Sequence, residues 1–287
     1  MQPIRIGDTI LDDNSPPLLI AGPCVIEDED ETIELAKEIV SLPATAKFLY
    51  VFKASYLKDN RSSAGSYRGP GLKEGLRVLQ RIKDQVGCPV LSDVHSVEEA
   101  ERAAKILDVV QVPAFLSRQT RLLEAVARSA RAVNIKKGQF LSPEAIELAI
   151  EKIQNAGGKN ILVTERGTSF GYNDLIVDFR GIPRMRGYGW PVIFDVTHSL
   201  QRPGSLGDRS GGEPGLARPM SRAAAALPCD GFFIETHFEP GRAKSDGASM
   251  LPFSELARLL EEVHQIFTLT RRLELEKRNT SEKLRQV

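Results

Sequence analysis

Three cysteines among 287 residues are too few for a disulfide framework, and a chain of this size does not need one. They are expected to be reduced thiols, buried as small apolar groups. Neither sign of charge is in excess: 38 Lys and Arg stand against 38 Asp and Glu. That balance weighs against a nucleic-acid partner, which normally meets a basic surplus. No apolar run approaches the roughly 18 residues needed to span a bilayer, so no membrane partner is expected. The opening residues Met1 to Arg5 lack the charged-then-apolar layout of a signal peptide, and the expected location is cytoplasmic. Solenoid repeats and low-complexity tracts are missing too. With 41% hydrophobic and 26% charged residues, disorder is excluded and an ordinary globular chain remains.

What the sequence does hold is a regular alternation. Short apolar runs at 18–21, 48–53, 89–93, 109–112, 132–135, 160–164, 191–195 and 231–235 read as eight strands. Most are nearly continuous rather than alternating, as in parallel strands covered on both faces. Helical stripes fill the gaps. Ser96, Glu98 and Glu99 form a capping box that opens a helix running to about Leu107. Ser142 and Pro143 supply a cap and a first-turn proline before a helix over 145–154. Stripes over 71–86 and 119–131 complete the pattern. Eight βα units predict an α/β fold, a (β/α)8 TIM barrel, as a single domain over 1–287. A small N-terminal β-hairpin within 1–15 precedes it, and a charge-dense tail over 271–287 comes after it, as a frayed helix or an interface segment. A doubly wound open sheet is the alternative, but no GxGxxG turn succeeds the first run.

Such a barrel carries its active site at the C-terminal ends of the strands. At or just past the end of each run stand Cys24, Lys53, Asp93 with His95, Gln111, Lys136 with Lys137, Glu165 with Arg166, Asp195 with His198, and Glu235 with His237. The opposite ends offer mostly Gly, Pro, Asn and Asp, which is turn chemistry. Lys53, Lys58, Arg61, Arg68, Lys136 and Arg166 would converge on one mouth, and so many cations call for phosphate or carboxylate ligands. Cys24, His198 and Glu235 end the first, seventh and eighth strands, which become neighbours on closure, and Asp246 lies in the loop after the eighth. A thiolate, an imidazole and two carboxylates suit one divalent ion of the Fe, Mn, Zn or Co type. No CxxC or HxxxH spacing supports that reading, and on spacing alone Cys24 is a core thiol. The loop over 56–71 is dense in anion donors, and the one over 199–218 is long enough for a lid.

The segments Ala21-Gly22-Pro23-Cys24, Phe52-Lys53-Ala54-Ser55, Asn60-Arg61-Ser62-Ser63 and Pro113-Ala114-Phe115-Leu116 occur in this order. After them come Arg118-Gln119-Thr120, Asn134 to Phe140, Glu165-Arg166-Gly167-Thr168, Asp195 to Ser199 and Ser245-Asp246-Gly247. Through them the chain closely resembles the 3-deoxy-D-manno-octulosonate 8-phosphate synthases over nearly its whole length. The resemblance implies condensation of phosphoenolpyruvate with arabinose 5-phosphate and water, releasing inorganic phosphate, as a step towards the sugar acid of lipopolysaccharide. It implies a homotetramer. It also implies that Lys53, Lys136 and Arg166 meet phosphoenolpyruvate, with Lys58 beside them, that Asn60, Arg61 and Ser62 grip the pentose phosphate, and that Gln139 is a further substrate-binding residue. Arg118 would come from a neighbouring subunit. Asp93 and His95 become candidates for proton transfer.

The resembled family is split at one position, metal-dependent members carrying Cys where others carry Asn. The resemblance therefore makes Cys24, His198, Glu235 and Asp246 metal ligands, where spacing alone does not. The chain departs from the usual Phe-Asp-Lys-Ala-Asn-Arg-Ser-Ser by reading Tyr56-Leu57-Lys58-Asp59-Asn60-Arg61-Ser62-Ser63, so that Asp59 adds a negative charge beside the sugar-phosphate site. The alternatives are a heptulosonate phosphate synthase using erythrose 4-phosphate, a Schiff-base aldolase built on Lys53 or Lys136, and a silent metabolite-binding barrel.

Overall fold

The apolar runs fold as parallel strands joined by helices. A computed structural model describes residues 1–285 except 62, 64 and 206–209, with nothing said of side chains from 278 onward. The strands are β1 (Leu18–Gly22), β2 (Leu49–Lys53), β3 (Val90–Asp93), β4 (Val109–Val112), β5 (Val133–Lys136), β6 (Ile161–Glu165), β7 (Val192–Asp195) and β8 (Gly231–His237). Each pairs in parallel with the next. β8 pairs with both β7 and β1, so the sheet closes into a (β/α)8 TIM barrel. All strand residues are buried except the first two of β2. That explains why the runs are continuous: the interior covers one face and the helices cover the other.

The helices are α1 (Glu29–Ser41), α2 (Leu72–Val86), α3 (Val97–Ala103), α4 (Thr120–Ser129), α5 (Glu147–Asn155), α6 (Gly181–Arg186), α7 (Ala217–Ala225) and α8 (Phe253–Arg285). Ser96 caps α3 as the sequence predicts, accepting from Glu99 N. The helix ends at Ala103 rather than near 107, because Asp108 is drawn beneath β3. Its carboxylate accepts from Val90 N at 3.0 Å and from Lys83 at 3.0 Å. The residues around Pro143 form a 3-10 turn over Glu144–Ile146 before α5 begins. The loop expected over 199–218 holds a short hairpin, Gln201–Arg202 against Gly211–Gly212, and α7 starts inside its range. The tip of the expected lid, 206–209, lies outside the described residues. The tail after 271 continues α8. None of the helices, among the described residues, is long and apolar enough to cross a membrane.

The N-terminal hairpin pairs Ile4–Ile6 with Thr9–Leu11 and buries Ile4, Ile6 and Leu11. Gln2 N donates to Gly189 O and Arg5 N to Asn160 Oδ1, both just before strands, so the hairpin seals the N-terminal end of the barrel. The opposite end stays open. At that end β1 and β2 come so close at Gly22 that a Cβ there would lie 2.1 Å from the carbonyl oxygen of Lys53. Gly22→Ala is therefore expected to lower stability by about 1–3 kcal/mol through overpacking, measured as a drop in the thermal unfolding midpoint against a surface Gly→Ala control such as Gly215→Ala, where nothing stands within 4 Å.

Candidate active site

Strand ends that deliver charge into a sheltered space must also neutralise it, because an unpaired ion in the interior is costly. The lysines here meet carboxylates from strands one or two places away around the barrel. Lys53, ending β2, donates to Glu235 on β8 and to the Cys24 carbonyl at 2.7 Å. Lys136, ending β5, pairs with Asp195 of β7 and lies 3.2 Å from the ring centroid of Phe233. Lys58 lies 3.4 Å from Asp93 Oδ2. Burial depresses the Lys136 ammonium to about 8 despite Asp195 and Glu235. Burial would do the same to Lys58, but Cys24, Asp93, Glu235 and Asp246 together hold it above its ordinary value. Asp93, Asp195 and Glu235 stay below the usual carboxylate range even though burial opposes ionisation. Lys58 and Lys53 act on the first, His198 and Lys136 on the second, and His198 and Lys53 on the third.

Lys53, Lys58, Lys136, Asp93, His198 and Glu235 line one cavity of about 970 Å³, with Asp195 behind its wall. Of the residues singled out in the sequence, it brings together Lys53, Lys58, Asn60, Arg61, Asp93, His95, Lys136, Gln139, Arg166, His198, Glu235 and Asp246. Two guanidinium nitrogens there, Arg61 Nε and Arg166 Nη1, are buried with no hydrogen-bond partner among the described residues. Buried donors without acceptors are rare in native proteins and mark places where a ligand or water completes the bonding. Gln139 Oε1 is in the same condition. Arg166 Nη2 donates to Gln201 at 2.8 Å, a contact from the short hairpin that the sequence did not announce.

Several residues stand elsewhere. Arg68 does not join the cations of the cavity; it is half-exposed and paired with Asp59. Arg118 is exposed and outside the cavity of its own chain. Ser62 lies outside the described residues. Lys137 and Glu165 form a buried pair, 3.5 Å apart, turned away from the cavity because neighbouring strand residues point to opposite faces.

The proposed metal ligands fall in two groups. Atoms of Cys24, Glu235 and Asp246 lie within 4.8 Å of one another. His198 stands beside them, its Nε2 3.5 Å from Glu235 Oε2 and its Nδ1 2.9 Å from Asp195 Oδ2. Cys24 Sγ donates to Asp246 Oδ2 at 3.0 Å and lies 2.8 Å from Ser245 Oγ. Asp246 is the one non-glycine residue with positive φ, 54°, among those described, a conformation that asparagine and aspartate tolerate best. Burial pushes the Cys24 thiol well above its ordinary value, and the carboxylates of Asp246 and Glu235 push it further. Glu235 Oε2 is buried without a hydrogen-bond partner among the described residues. A thiol, two carboxylates and an orphaned carboxylate oxygen facing an imidazole fit a divalent transition-metal cation, which would take up the free oxygen and favour the thiolate.

Comparison with known proteins agrees with this geometry. The DAHP synthetase I family matches over residues 2–272. A 2-dehydro-3-deoxyphosphooctonate aldolase of Geobacter metallireducens is 48% identical over 263 residues, 92% of this chain and 97% of that protein. A protein of the same name from Pelobacter propionicus is 49% identical over 257 residues, 90% and 94% of the two chains.

The pairing of Asp195 with Lys136 and His198 makes that carboxylate the most exacting point of the site. Asp195→Asn leaves a buried ammonium without its counter-charge and is expected to destabilise the protein by about 3–5 kcal/mol. The check is the unfolding midpoint, with Asp195→Asn/Lys136→Met expected to recover a large part of the loss.

Proposed function

The chain belongs to the DAHP synthetase I family, and from that premise we propose that it joins phosphoenolpyruvate, arabinose 5-phosphate and water to give 3-deoxy-D-manno-octulosonate 8-phosphate and inorganic phosphate. The observation that carries this reading is the pair of buried, unpartnered guanidinium nitrogens of Arg61 and Arg166 in one cavity with Lys53, Lys58 and Lys136. Such a mouth asks for two phosphorylated ligands rather than one. The octulosonate names of the relatives favour the five-carbon aldose over erythrose 4-phosphate. The step serves lipopolysaccharide synthesis in a cytoplasmic homotetramer, with Arg118 reaching a neighbouring subunit's sugar phosphate.

In this reading Lys53, Lys136, Arg166 and Gln139 hold the phosphate and carboxylate of phosphoenolpyruvate, with Lys58 beside them. Asn60, Arg61 and Ser62 hold the phosphate of the aldose. The two ligands are thereby fixed with C3 of phosphoenolpyruvate facing the aldehyde carbon, which removes most of the entropic barrier to their meeting. A carbon–carbon bond forms between those atoms, the aldehyde oxygen takes a proton, and water adds to C2. The C2–oxygen bond to phosphate then breaks, leaving the keto acid. Asp93 and His95 stand in the cavity as the groups that pass protons. Cys24, His198, Glu235 and Asp246 would hold one divalent ion of the Fe, Mn, Zn or Co type, whose charge, when bound, polarises a carbonyl or acidifies a water.

Three outcomes test the reading. Phosphate release from phosphoenolpyruvate is expected to depend on an added aldose phosphate, with arabinose 5-phosphate preferred over erythrose 4-phosphate by roughly tenfold or more; the reverse preference makes the chain a heptulosonate synthase. Exhaustive chelation, checked by elemental analysis, is expected to abolish turnover, and readdition of a divalent transition metal to restore it. Full activity of metal-free protein rejects the metal assignment.

The pH dependence stems from Lys136, whose ammonium is held at about 8. The affinity for phosphoenolpyruvate is expected to fall as pH rises through that value, by up to about tenfold per unit. The same group acts oppositely on stability: its folded pKa lies below its unfolded one, so its contribution to ligand-free stability rises between about 8 and 10.5. Calorimetric titration of wild type and Lys136→Arg separates the two, since arginine stays charged and flattens the affinity profile.

A further inference from the structure

Inside the barrel, below the ligand cavity, polar side chains on successive strands form one unbroken hydrogen-bond chain. Thr164 Oγ1 on β6 donates to Asn134 Oδ1 on β5 at 2.7 Å. Asn134 Nδ2 donates to Gln111 Oε1 on β4 at 2.8 Å, and Gln111 Nε2 donates to Asp93 Oδ1 on β3 at 2.6 Å. The other oxygen of Asp93 accepts from Ser55 Oγ at 2.7 Å and from Lys58 Nζ at 3.4 Å. The strand register puts Asp93 opposite Gln111 and Gln111 opposite Asn134. All of these residues are buried.

The direction of the chain is forced. An ionised carboxylate accepts and cannot donate, so Gln111 must turn its NH2 towards Asp93. Its oxygen then faces Asn134, which must present its own NH2, and the oxygen left over on Asn134 requires a donor. The Thr164 hydroxyl supplies it. Reversing either amide sets oxygen against oxygen or NH2 against NH2 in a dry interior, where each unmet group is expensive.

On the premise that the cavity takes phosphoenolpyruvate, we propose that Thr164 and Asn134 are positioning residues for that ligand: they lock the Gln111 amide, the amide fixes the Asp93 carboxylate, and the carboxylate aims Lys58 into the cavity. Neither Thr164 nor Asn134 lines the cavity. The influence of Thr164 passes through four hydrogen bonds and that of Asn134 through three, and it reaches the lysine beside phosphoenolpyruvate rather than the cations on the aldose phosphate. Without the threonine hydroxyl, Asn134 Oδ1 is left without a donor in a dry interior. Asn134 then shifts to relieve that cost, its hold on the Gln111 oxygen loosens, and the Gln111 amide no longer fixes the Asp93 carboxylate against Lys58.

Thr164→Val keeps the shape and removes the donor; Thr164→Ser keeps the donor and loses a methyl group. The valine variant is expected to raise the KM for phosphoenolpyruvate about tenfold, the scale of one misplaced buried hydrogen bond, while the KM for arabinose 5-phosphate moves by less than about twofold. The serine variant is expected to match wild type in both. A valine variant with wild-type constants overturns the proposal, as do equal changes in both KM values. So does a serine variant as impaired as the valine one, since that pattern reports packing alone. If the valine variant does not fold, Asn134→Asp carries the same test, because an aspartate cannot donate to Gln111. Calorimetry with phosphoenolpyruvate on wild type is run alongside. A wild type that neither binds nor consumes it defeats the functional reading and this proposal with it; one that does both, with Thr164→Val unchanged, defeats the positioning chain alone.

Discussion

Burying ammonium groups at the mouth of a barrel is the constraint on which the rest of this structure depends. Lys53, Lys136 and Lys58 each sit almost out of water, and each survives there because a carboxylate from another strand meets it. The partners lie one or two strands away rather than beside the lysines in sequence, so the charges are balanced only once those strands have paired, and for Lys53 and Glu235 only once β8 has closed on β1. Folding and assembly of the site are then one event. The same demand explains the tight approach at Gly22, which lets the end of β1 lie against the Lys53 backbone. It also explains why a chain of zero net charge can offer a strongly cationic cavity: its charges are sorted by position, not by number.

Pairing at the mouth is incomplete. The lysines are satisfied by carboxylates, whereas Arg61 and Arg166 keep a buried nitrogen without an acceptor among the described residues. Stability alone would favour filling those positions or exposing them to water. They persist where an anionic ligand supplies the missing acceptors, which places the unfavourable energy of the empty site at the service of binding. Asp246 adds a second local cost, a positive φ at 54°, and it is the residue whose carboxylate meets the Cys24 thiol and faces Arg61 at 3.8 Å. The strained Asp246 backbone thus stands at the same mouth as two of the three buried, unmet guanidinium nitrogens among the described residues, the third being Arg271 Nε at the closed end.

The parts legible in the sequence are those governed by one-dimensional patterns. Continuous apolar runs gave away the strands because both faces are covered, and the residue after each run marked the mouth because parallel strands all point one way. Helix ends were less legible: nothing local in 97–107 tells that Asp108 will be pulled under β3 and cut α3 short. Arg68 read as one more cation of the site, yet it is held outside by Asp59, a contact across a loop whose path no periodicity encodes. Phe233 beneath Lys136 and Gln201 beside Arg166 were invisible for the same reason, being meetings of residues far apart in the chain. Cys24 shows the limit most plainly. Its spacing said core thiol, its family resemblance said ligand, and its surroundings hold both readings at once: fully buried, and in contact with a carboxylate.

Both ends of the barrel bury charge, and the contrast between them argues for where function resides. At the N-terminal end Asp230 accepts from Arg186, Arg271 and Val192 N, while Asp13 meets Arg186 and the chain's own amino group. There carboxylates meet Arg186 and Arg271, with Arg271 Nε left without a hydrogen-bond partner among the described residues, and the network braces the fold. At the C-terminal end the same kinds of residue surround about 970 Å³ of open volume. Ion pairs of similar chemistry therefore do different work according to whether the chain covers them. One network closes the barrel, and the other holds its charges ready around a space that only a second molecule can fill.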